Sequence, residues 1–260
     1  MGKFDGILIL SDWDGTLCYG KEIPESNVEK IRYFCREGGL FTVCTGRFFS
    51  HIENFKDKVV PNTYVACLNG AYILDPRTKQ VVYEGVTGDE IHGVLYEFAN
   101  ERPDFTGFSI YTLGCDAPLQ ITPKEYLQMK GELDKRPLYK AMLLSRTEEN
   151  AITCRALVNS RGYKGLKSVR SWNTGLELMS PKSTKGDAAL LIKRLTGARL
   201  LVCVGDYEND ADMLKVADIS YAPENAVDSI KKIATKTVAD VHTGTIAAVI
   251  DDIEKSLTKA

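Results

Sequence analysis

Short apolar runs alternate along the chain with segments whose apolar positions recur every three or four residues, and this alternation organises both of its ends. Residues 6–11 ("GILILS") and 40–45 ("LFTVCT") are continuous apolar runs of strand length, the pattern of strands covered on both faces. Between them, residues 25–37 place Val28, Ile31, Phe34 and Cys35 on one helical face. Strand, helix and strand in that order imply a parallel pair joined by a right-handed crossover. A helix near 48–57, a strand "YVACLN" and a hairpin of "AYILD" and "QVVYEG" across "PRTK" follow. Towards the other end the pattern predicts helix 185–196, strand 199–204, helix 208–216, strand 218–221, helix 225–233, strand 235–238 and a helix from about 243. The two ends together predict one doubly wound α/β sheet.

The stretch from about 85 to 180 has a different texture: helix 89–101, strand 105–112, helix 122–130, strand 138–145, helix 147–160, then strands 166–171 and 175–180 joined by "WNT". Its closing hairpin reads as a compact α+β module inserted into the sheet domain, with Gly85 and Gly88 at one border and "SPKSTKG" at the other. The expected organisation is a core in two parts, 1–84 and 185–260, around an inserted domain, 85–184.

Composition narrows the classes of function. With 260 residues, 44% hydrophobic and 26% charged, the chain has ordinary globular proportions. A formal net charge of −2 gives no whole-chain attraction to nucleic acid or to an anionic membrane. No apolar run approaches the roughly 20 residues of a membrane-crossing helix, and "MGKFDGILIL" does not read as a signal peptide. Seven cysteines, scattered and odd in number, suit a reducing cytoplasm.

Four segments lie just past the carboxyl ends of expected core strands: "SDWDGT", "TGR" at 45–47, "NG" at 69–70 and "GDYEND" at 205–210. That edge of an open α/β sheet is where ligands bind. Asp12, Asp14 and Asp206 are hard oxygen donors suited to Mg²⁺ and a phosphate oxygen. Thr45 offers a hydroxyl, Gly46 an open backbone N–H, and the turn after Asp12 can aim the amides of Trp13 and Asp14 at an anion. Lys185 can neutralise a carboxylate and a phosphoryl group together. Such a set serves phosphoryl transfer, in which a carboxylate can attack phosphorus and form an aspartyl-phosphate. Singly these motifs have plainer explanations. "DGT" and Asn-Gly are common turn chemistry, and Arg47 could reach a substrate or pair with a core acid. Crowded acids after a buried strand repel one another unless a cation is present, which makes "GDYEND" the more specific signal. His51, His92 and His242 stand without a second ligand at metal spacing and read as ordinary histidines, and Tyr111, Tyr126, Tyr139 and Trp172 read as packing residues.

"DWDGT", "CTGR", "STKGDAAL" and "VGDYENDADML" resemble, in order, the four motifs of the haloacid dehalogenase superfamily, and in detail those of its Cof-type phosphatases with a C2B cap. The resemblance implies a Rossmann-like core with an inserted α+β cap, and an Mg²⁺-dependent phosphatase of small phosphorylated metabolites. It makes Asp12 the nucleophile and Asp14 the general acid and base. Asp12, the Asp14 carbonyl and Asp206 become the Mg²⁺ ligands, with Asp210 supporting them. Trp13, Thr45, Gly46, Lys185 and Asn209 become the phosphate holders, with Arg47 and Asn69 at the site edge. Trp13 departs from the smaller apolar residue usual at its position. Two other readings remain: a phosphomutase, which expects clustered cap arginines where Arg102, Arg136, Arg146, Arg155, Arg161 and Arg170 are dispersed, and a binding protein or sensor without useful turnover. Substrate identity and oligomeric state are left open.

Overall fold

The computed structural model describes residues 2–101 and 105–258, so Arg102 lies outside the described residues. The chain divides into two compact units, residues 1–83 with 184–260, and residues 84–183.

The first unit is built on a five-stranded parallel sheet. Its elements before the insertion are β1 (Ile7–Ser11), α1 (Glu25–Arg36), β2 (Leu40–Val43), α2 (Phe49–Glu53), β3 (Val65–Cys67), β4 (Tyr72–Leu74) and β5 (Val81–Glu84), whose last residue opens the second unit. The second unit continues with α3 (Glu90–Glu101), β6 (Phe105–Thr112), β7 (Leu119–Ile121), α4 (Pro123–Leu133), β8 (Leu138–Ser145), α5 (Glu148–Ser160), β9 (Lys167–Trp172) and β10 (Gly175–Met179). The chain then returns to the first unit through α6 (Lys185–Thr196), β11 (Leu200–Val204), α7 (Ala211–Val216), β12 (Ile219–Pro223), α8 (Asp228–Lys231), β13 (Lys236–Val238) and α9 (Thr245–Leu257).

The parallel sheet runs β13-β12-β11-β1-β2, with β1 and β11 in register from Ile7 against Leu200 to Ser11 against Val204. Every residue of β1 is buried, which explains its unbroken apolar run. Leu8 and Leu10 point to one face and pack with Ala188 and Ile192 of α6 and Met213 and Leu214 of α7. Ile7 and Ile9 point to the other, and α1 and α9 pack on each other. The expected face of α1 is buried at Val28, Ile31 and Phe34, whereas Cys35 is only half-buried. Buried Asn27 takes part instead, its Oδ1 accepting from the Ala247 amide at 2.9 Å.

Several elements depart from the expectation, each where a side chain or a neighbouring strand claims the backbone. β3 is not a strand of the main sheet: it forms a three-stranded sheet, β3-β4-β5, and meets the β2 side through one parallel bridge, Cys44 to Ala66. β2 therefore ends at Val43, and the Thr45 amide donates to the Ala66 carbonyl at 2.9 Å. The helix expected over 208–216 begins as a 3-10 turn, Glu208–Asp210, and becomes α-helical at Ala211. The helix expected over 225–233 shrinks to α8, because Asn225 is drawn into loop bonds: its Nδ2 donates to the Gly15 carbonyl at 2.8 Å and its Oδ1 accepts from the Val241 amide at 2.9 Å. α2 covers five residues, and 3-10-type turns from Phe55 to Ile52 and Lys56 to Glu53 take over the rest of the expected helix.

In the second unit an antiparallel sheet, β7-β6-β8-β10-β9, carries its helices on one face. Phe108, Ile110, Ala141, Leu143, Leu176 and Leu178 pack there against Leu95 and Phe98 of α3, Tyr126 of α4 and Val158 of α5. Lys140 and Glu177 alternate with these core positions and so point to the opposite face. They form a buried ion pair of 2.7 Å, with the Ser171 hydroxyl on Glu177 and the Tyr111 ring centroid 4.5 Å from the ammonium. β7 was not expected, since three residues with one fully buried position give no alternation to read. Among the described residues no helix is long and apolar enough to cross a membrane.

Candidate active site

The carboxyl ends of β1, β2 and β11 bring the four motif segments of the first unit together. β1 delivers Asp12 by continuing its ladder one step, the Asp12 amide donating to the Val204 carbonyl at 2.8 Å. The chain then turns tightly, with Leu17 and Cys18 both donating to the Trp13 carbonyl. Gly15 permits the turn: its φ is +79°, and a Cβ there would stand 2.4 Å from Asp206 Oδ2. The Thr16 hydroxyl donates to Asp206 Oδ1 at 2.7 Å, tying the first loop to the one after β11.

Lys185 arrives from the start of α6. Thr184 caps that helix reciprocally with Asp187, each side chain accepting the other's amide at 3.1 Å. An ammonium at a helix N-terminus opposes the helix dipole, so this position needs anionic company. It has it: Lys185 Nζ donates to Asp12 Oδ1 and Asp210 Oδ1, both at 2.6 Å, with all three residues buried. Asp210 uses its other oxygen to accept the amides of Asp206 and Tyr207, at 2.8 and 3.1 Å, and so shapes the loop that presents Asp206.

Carboxylate oxygens of Asp12, Asp206 and Asp210 all lie within 4.8 Å of one another. When all are ionised, three carboxylates against one ammonium leave two negative charges in a buried space. Burial, and then the Asp210 charge, push the Asp206 carboxyl up to about 7, with the Thr16 hydrogen bond and Lys185 opposing. Burial and Asp210 likewise hold Asp12 well above the usual carboxylate range against the pull of Lys185. Burial acts to lower the Lys185 ammonium, but Asp12 and Asp210 outweigh it and its pKa is raised. A hard divalent cation fits this donor set, because it would cancel the surplus charge among the three carboxylates.

The remaining expected residues take different places. The Asp14 carboxylate is not in the acidic cluster; Arg47 holds it through Nε to Oδ2 and Nη2 to Oδ1, both 2.9 Å. Arg47 thus has an acid as a partner, and that acid belongs to the candidate site. Thr45 is buried, its hydroxyl accepting the Arg47 amide at 3.1 Å and its carbonyl the Asn69 amide at 2.8 Å. Gly46 stands half-buried between Thr45 and Arg47. Asn69 Oδ1 accepts from Asn209 Nδ2 at 3.3 Å, while Asn209 Oδ1 is buried with no hydrogen-bond partner. Trp13 is fully buried against Phe55 and His51, with ring centroids at 5.1 and 5.8 Å, and its indole N–H has no hydrogen-bond partner. His51 is thus part of the wall around Trp13, a role that its isolation in sequence did not signal. Thr16 was also passed over, although "DGT" carries it, and so was the clamp that Asp210 makes on its own loop.

The haloacid dehalogenase-like hydrolase family model matches residues 9–250. The chain is 26% identical to the pyridoxal phosphate phosphatase YbhA of Escherichia coli, over 94% of this chain and 97% of that protein. Its fold is similar to that of a HAD/COF-like hydrolase from Plasmodium vivax (TM-score 0.82, 19% identity, 98% and 97% of the two chains). It is similar as well to the HAD subclass IIB sugar phosphatase BT4131 (TM-score 0.75, 19% identity, 97% and 98%). The four loops at the strand ends fall within a match covering nearly the whole chain, and the protein belongs to the haloacid dehalogenase-like hydrolases.

Proposed function

We propose that the protein is an Mg²⁺-dependent phosphatase of small phosphorylated metabolites, working through an aspartyl-phosphate on Asp12. The observation that carries this reading is the buried Asp12 carboxylate at the end of β1, held by Lys185 at 2.6 Å beside the surplus acids Asp206 and Asp210. In the first half-reaction an Asp12 oxygen forms a bond to phosphorus while the ester P–O bond breaks. The bonding pair stays on the leaving oxygen, which takes a proton from Asp14. In the second, Asp14 takes a proton from water, the water oxygen attacks phosphorus, and the Asp12–phosphorus bond breaks to release phosphate and restore the carboxylate. Lys185 neutralises the attacked group, and the Thr45 hydroxyl, the Trp13 and Gly46 amides and the Asn209 amide nitrogen receive its oxygens; that nitrogen now donates to Asn69 Oδ1 at 3.3 Å. Asp12, Asp206 and the Asp14 carbonyl, with Asp210 behind them, would hold Mg²⁺, which would supply positive charge where an anion meets an anionic nucleophile.

We assign the inserted unit, residues 84–183, the part of a C2B-type cap that selects the substrate. A pyridoxal phosphate phosphatase and a sugar phosphatase among similar proteins support a small phosphorylated metabolite as that substrate. The phosphomutase reading loses support because Arg161 and Arg170 are engaged by Glu97 and Glu148, in place of a common anion site. The same reading sets the protein in a reducing cytoplasm, in keeping with its scattered cysteines.

The test is phosphate release from p-nitrophenyl phosphate. EDTA abolishes it, Mg²⁺ restores it, and the larger, loosely coordinating Ca²⁺ supports little. Rapid acid quench finds labelled protein in the wild type and none in Asp12→Asn. Full turnover in EDTA, or label on Asp12→Asn, sinks the mechanism.

A further inference from the structure

The Asp14–Arg47 pair is too exposed to be a device for stability. Its side chains are 46% and 51% accessible, and exposed pairs contribute about 0–1 kcal/mol. Yet its geometry is a bidentate fork with two bonds of equal length, and its arginine is anchored with unusual care. The Arg47 amide is bound to the Thr45 hydroxyl, and the Arg47 carbonyl accepts the Leu68 amide at 3.1 Å. Leu68 makes that bond from a left-handed backbone, φ +53°, and Asn69 (φ +58°) and Gly70 (φ +101°) continue the run. A leucine in this region costs about 1–2 kcal/mol, and such strain persists where the surroundings impose it. The strained turn thus fixes the carbonyls on both sides of Gly46, those of Thr45 and Arg47.

On the other side, the loop bearing Asp14 is fixed in its backbone by the bonds to the Trp13 carbonyl and by the Gly15 amide on the Cys18 carbonyl at 2.9 Å. What is left free is the Asp14 side chain. A half-exposed aspartate samples several staggered rotamers, and a planar fork selects one of them.

We propose that Arg47 is a positioning residue for the proton transfer made by Asp14, held in place by the strained Leu68–Gly70 turn. The inference rests on the function proposed above, in which Asp14 protonates the oxygen released as the Asp12–phosphorus bond forms. Without the fork the carboxyl group is still present but points towards the leaving oxygen only part of the time. Loss of Arg47 then slows esters in proportion to how much their leaving group needs a proton.

The experiment compares phenyl phosphate with p-nitrophenyl phosphate, two esters of similar shape whose leaving oxygens differ in basicity, in single turnover with Mg²⁺. Proton transfer by a positioned group contributes about 10²–10⁴-fold, so a misaimed one shows as a fall in the phenyl to p-nitrophenyl rate ratio of about tenfold or more in Arg47→Gln. Asp14→Asn lowers the ratio at least as far, and adding Arg47→Gln to it lowers the ratio no further, as expected of residues acting in series. Arg47→Lys keeps the charge but not the fork, and recovers only part of the ratio. Thermal unfolding of Arg47→Gln stays close to wild type, which excludes misfolding as the cause. An unchanged ratio, additive losses in the double variant, or full recovery with lysine each overturns the inference while leaving the phosphatase reading intact. Wild-type protein that releases phosphate from neither ester overturns both.

Discussion

Among the described residues each unit of this protein buries one lysine to about one per cent accessibility, and the two lysines are kept in opposite ways. In the inserted unit Lys140 faces Glu177, one charge against one in the ion pair, with a serine hydroxyl and a tyrosine ring beside it. In the core unit Lys185 faces Asp12 and Asp210 with Asp206 alongside, so the charges do not cancel. A cancelled pair is electrostatically complete when the chain has folded. A surplus of two negative charges is not, and a cation or retained protons must make up the difference. A buried lysine therefore indicates function only through the count of acids around it.

Deleting each lysine in turn breaks the comparison most directly. Lys140→Met strands Glu177 and costs about 3–5 kcal/mol in urea unfolding, while Lys140→Met with Glu177→Leu recovers most of it. Lys185→Met strands a larger set of acids at a similar cost of about 3–5 kcal/mol, but here Mg²⁺ is expected to restore part of the loss, because the acids it exposes are those proposed to bind the ion. Equal rescue of both variants by Mg²⁺, or of neither, removes the distinction between a complete and an incomplete cluster.

The surplus charge can also be read through pH. The folded pKa of Asp206, about 7, stands above its ordinary 3.8, and that of Asp12 is raised as well. An acid with a raised folded pKa favours folding most below its unfolded value, and this contribution is lost as pH climbs towards the folded one. Without metal, the core unit loses stability from Asp206 between about pH 4 and pH 7, and the raised Asp12 acts in the same direction. In the proposed site Mg²⁺ would bind the ionised form, so its stabilising effect is expected to grow over the same window. At a hundredfold excess over Kd it is worth about 2.7 kcal/mol, or roughly 5–10 °C in a domain of this size. The shift in Tm on adding Mg²⁺ is expected to be clearly larger at pH 8 than at pH 5.5; an equal or smaller shift at pH 8 contradicts the assignment.

A finer test moves the helix that carries Lys185. Gly70 has φ +101°, and a Cβ there would stand 2.4 Å from the carbonyl oxygen of Thr184, the cap of α6. Gly70→Ala costs about 1–3 kcal/mol in strain and displaces the start of that helix, so Mg²⁺ activation of p-nitrophenyl phosphate hydrolysis weakens together with stability. No change in either measure frees the turn from any part in placing Lys185.

The parts of the molecule legible in sequence are those in which neighbours along the chain do the work. β1 and α6 were legible because an unbroken apolar run and a helical stripe with a Thr-x-x-Asp start are local patterns. The motif acids were legible because each follows its strand directly. Partnerships between residues far apart in sequence could not be read: Asn225 reaches the Gly15 carbonyl across 210 positions, and α8 is short for that reason. β3 has the composition of a core strand but is claimed by β4, a choice between two partners that its three residues do not encode. At the site, the oxygen donors were visible and their division was not. Asp210 joins the carboxylate cluster and Asp14 stays out of it because of a lysine 25 residues away from the one and an arginine 33 residues away from the other.

The burial of Trp13 turns the site into its own optical reporter. The chain has two tryptophans: Trp172, 43% exposed with its indole N–H on the Thr174 hydroxyl, and Trp13, sealed beside Asp12. Trp172→Phe leaves a single tryptophan, selectively excited above the tyrosine absorption and one peptide bond from the carboxylate that carries the phosphoryl group in the proposed mechanism. Its emission is expected to report the polarity and charge at that carboxylate in real time, with the His51 ring centroid 5.8 Å from that of the indole. Stopped-flow fluorescence of that variant can therefore follow the rise and decay of the phosphoenzyme with unlabelled, colourless substrates, which makes every metabolite in a cell extract accessible to the same assay.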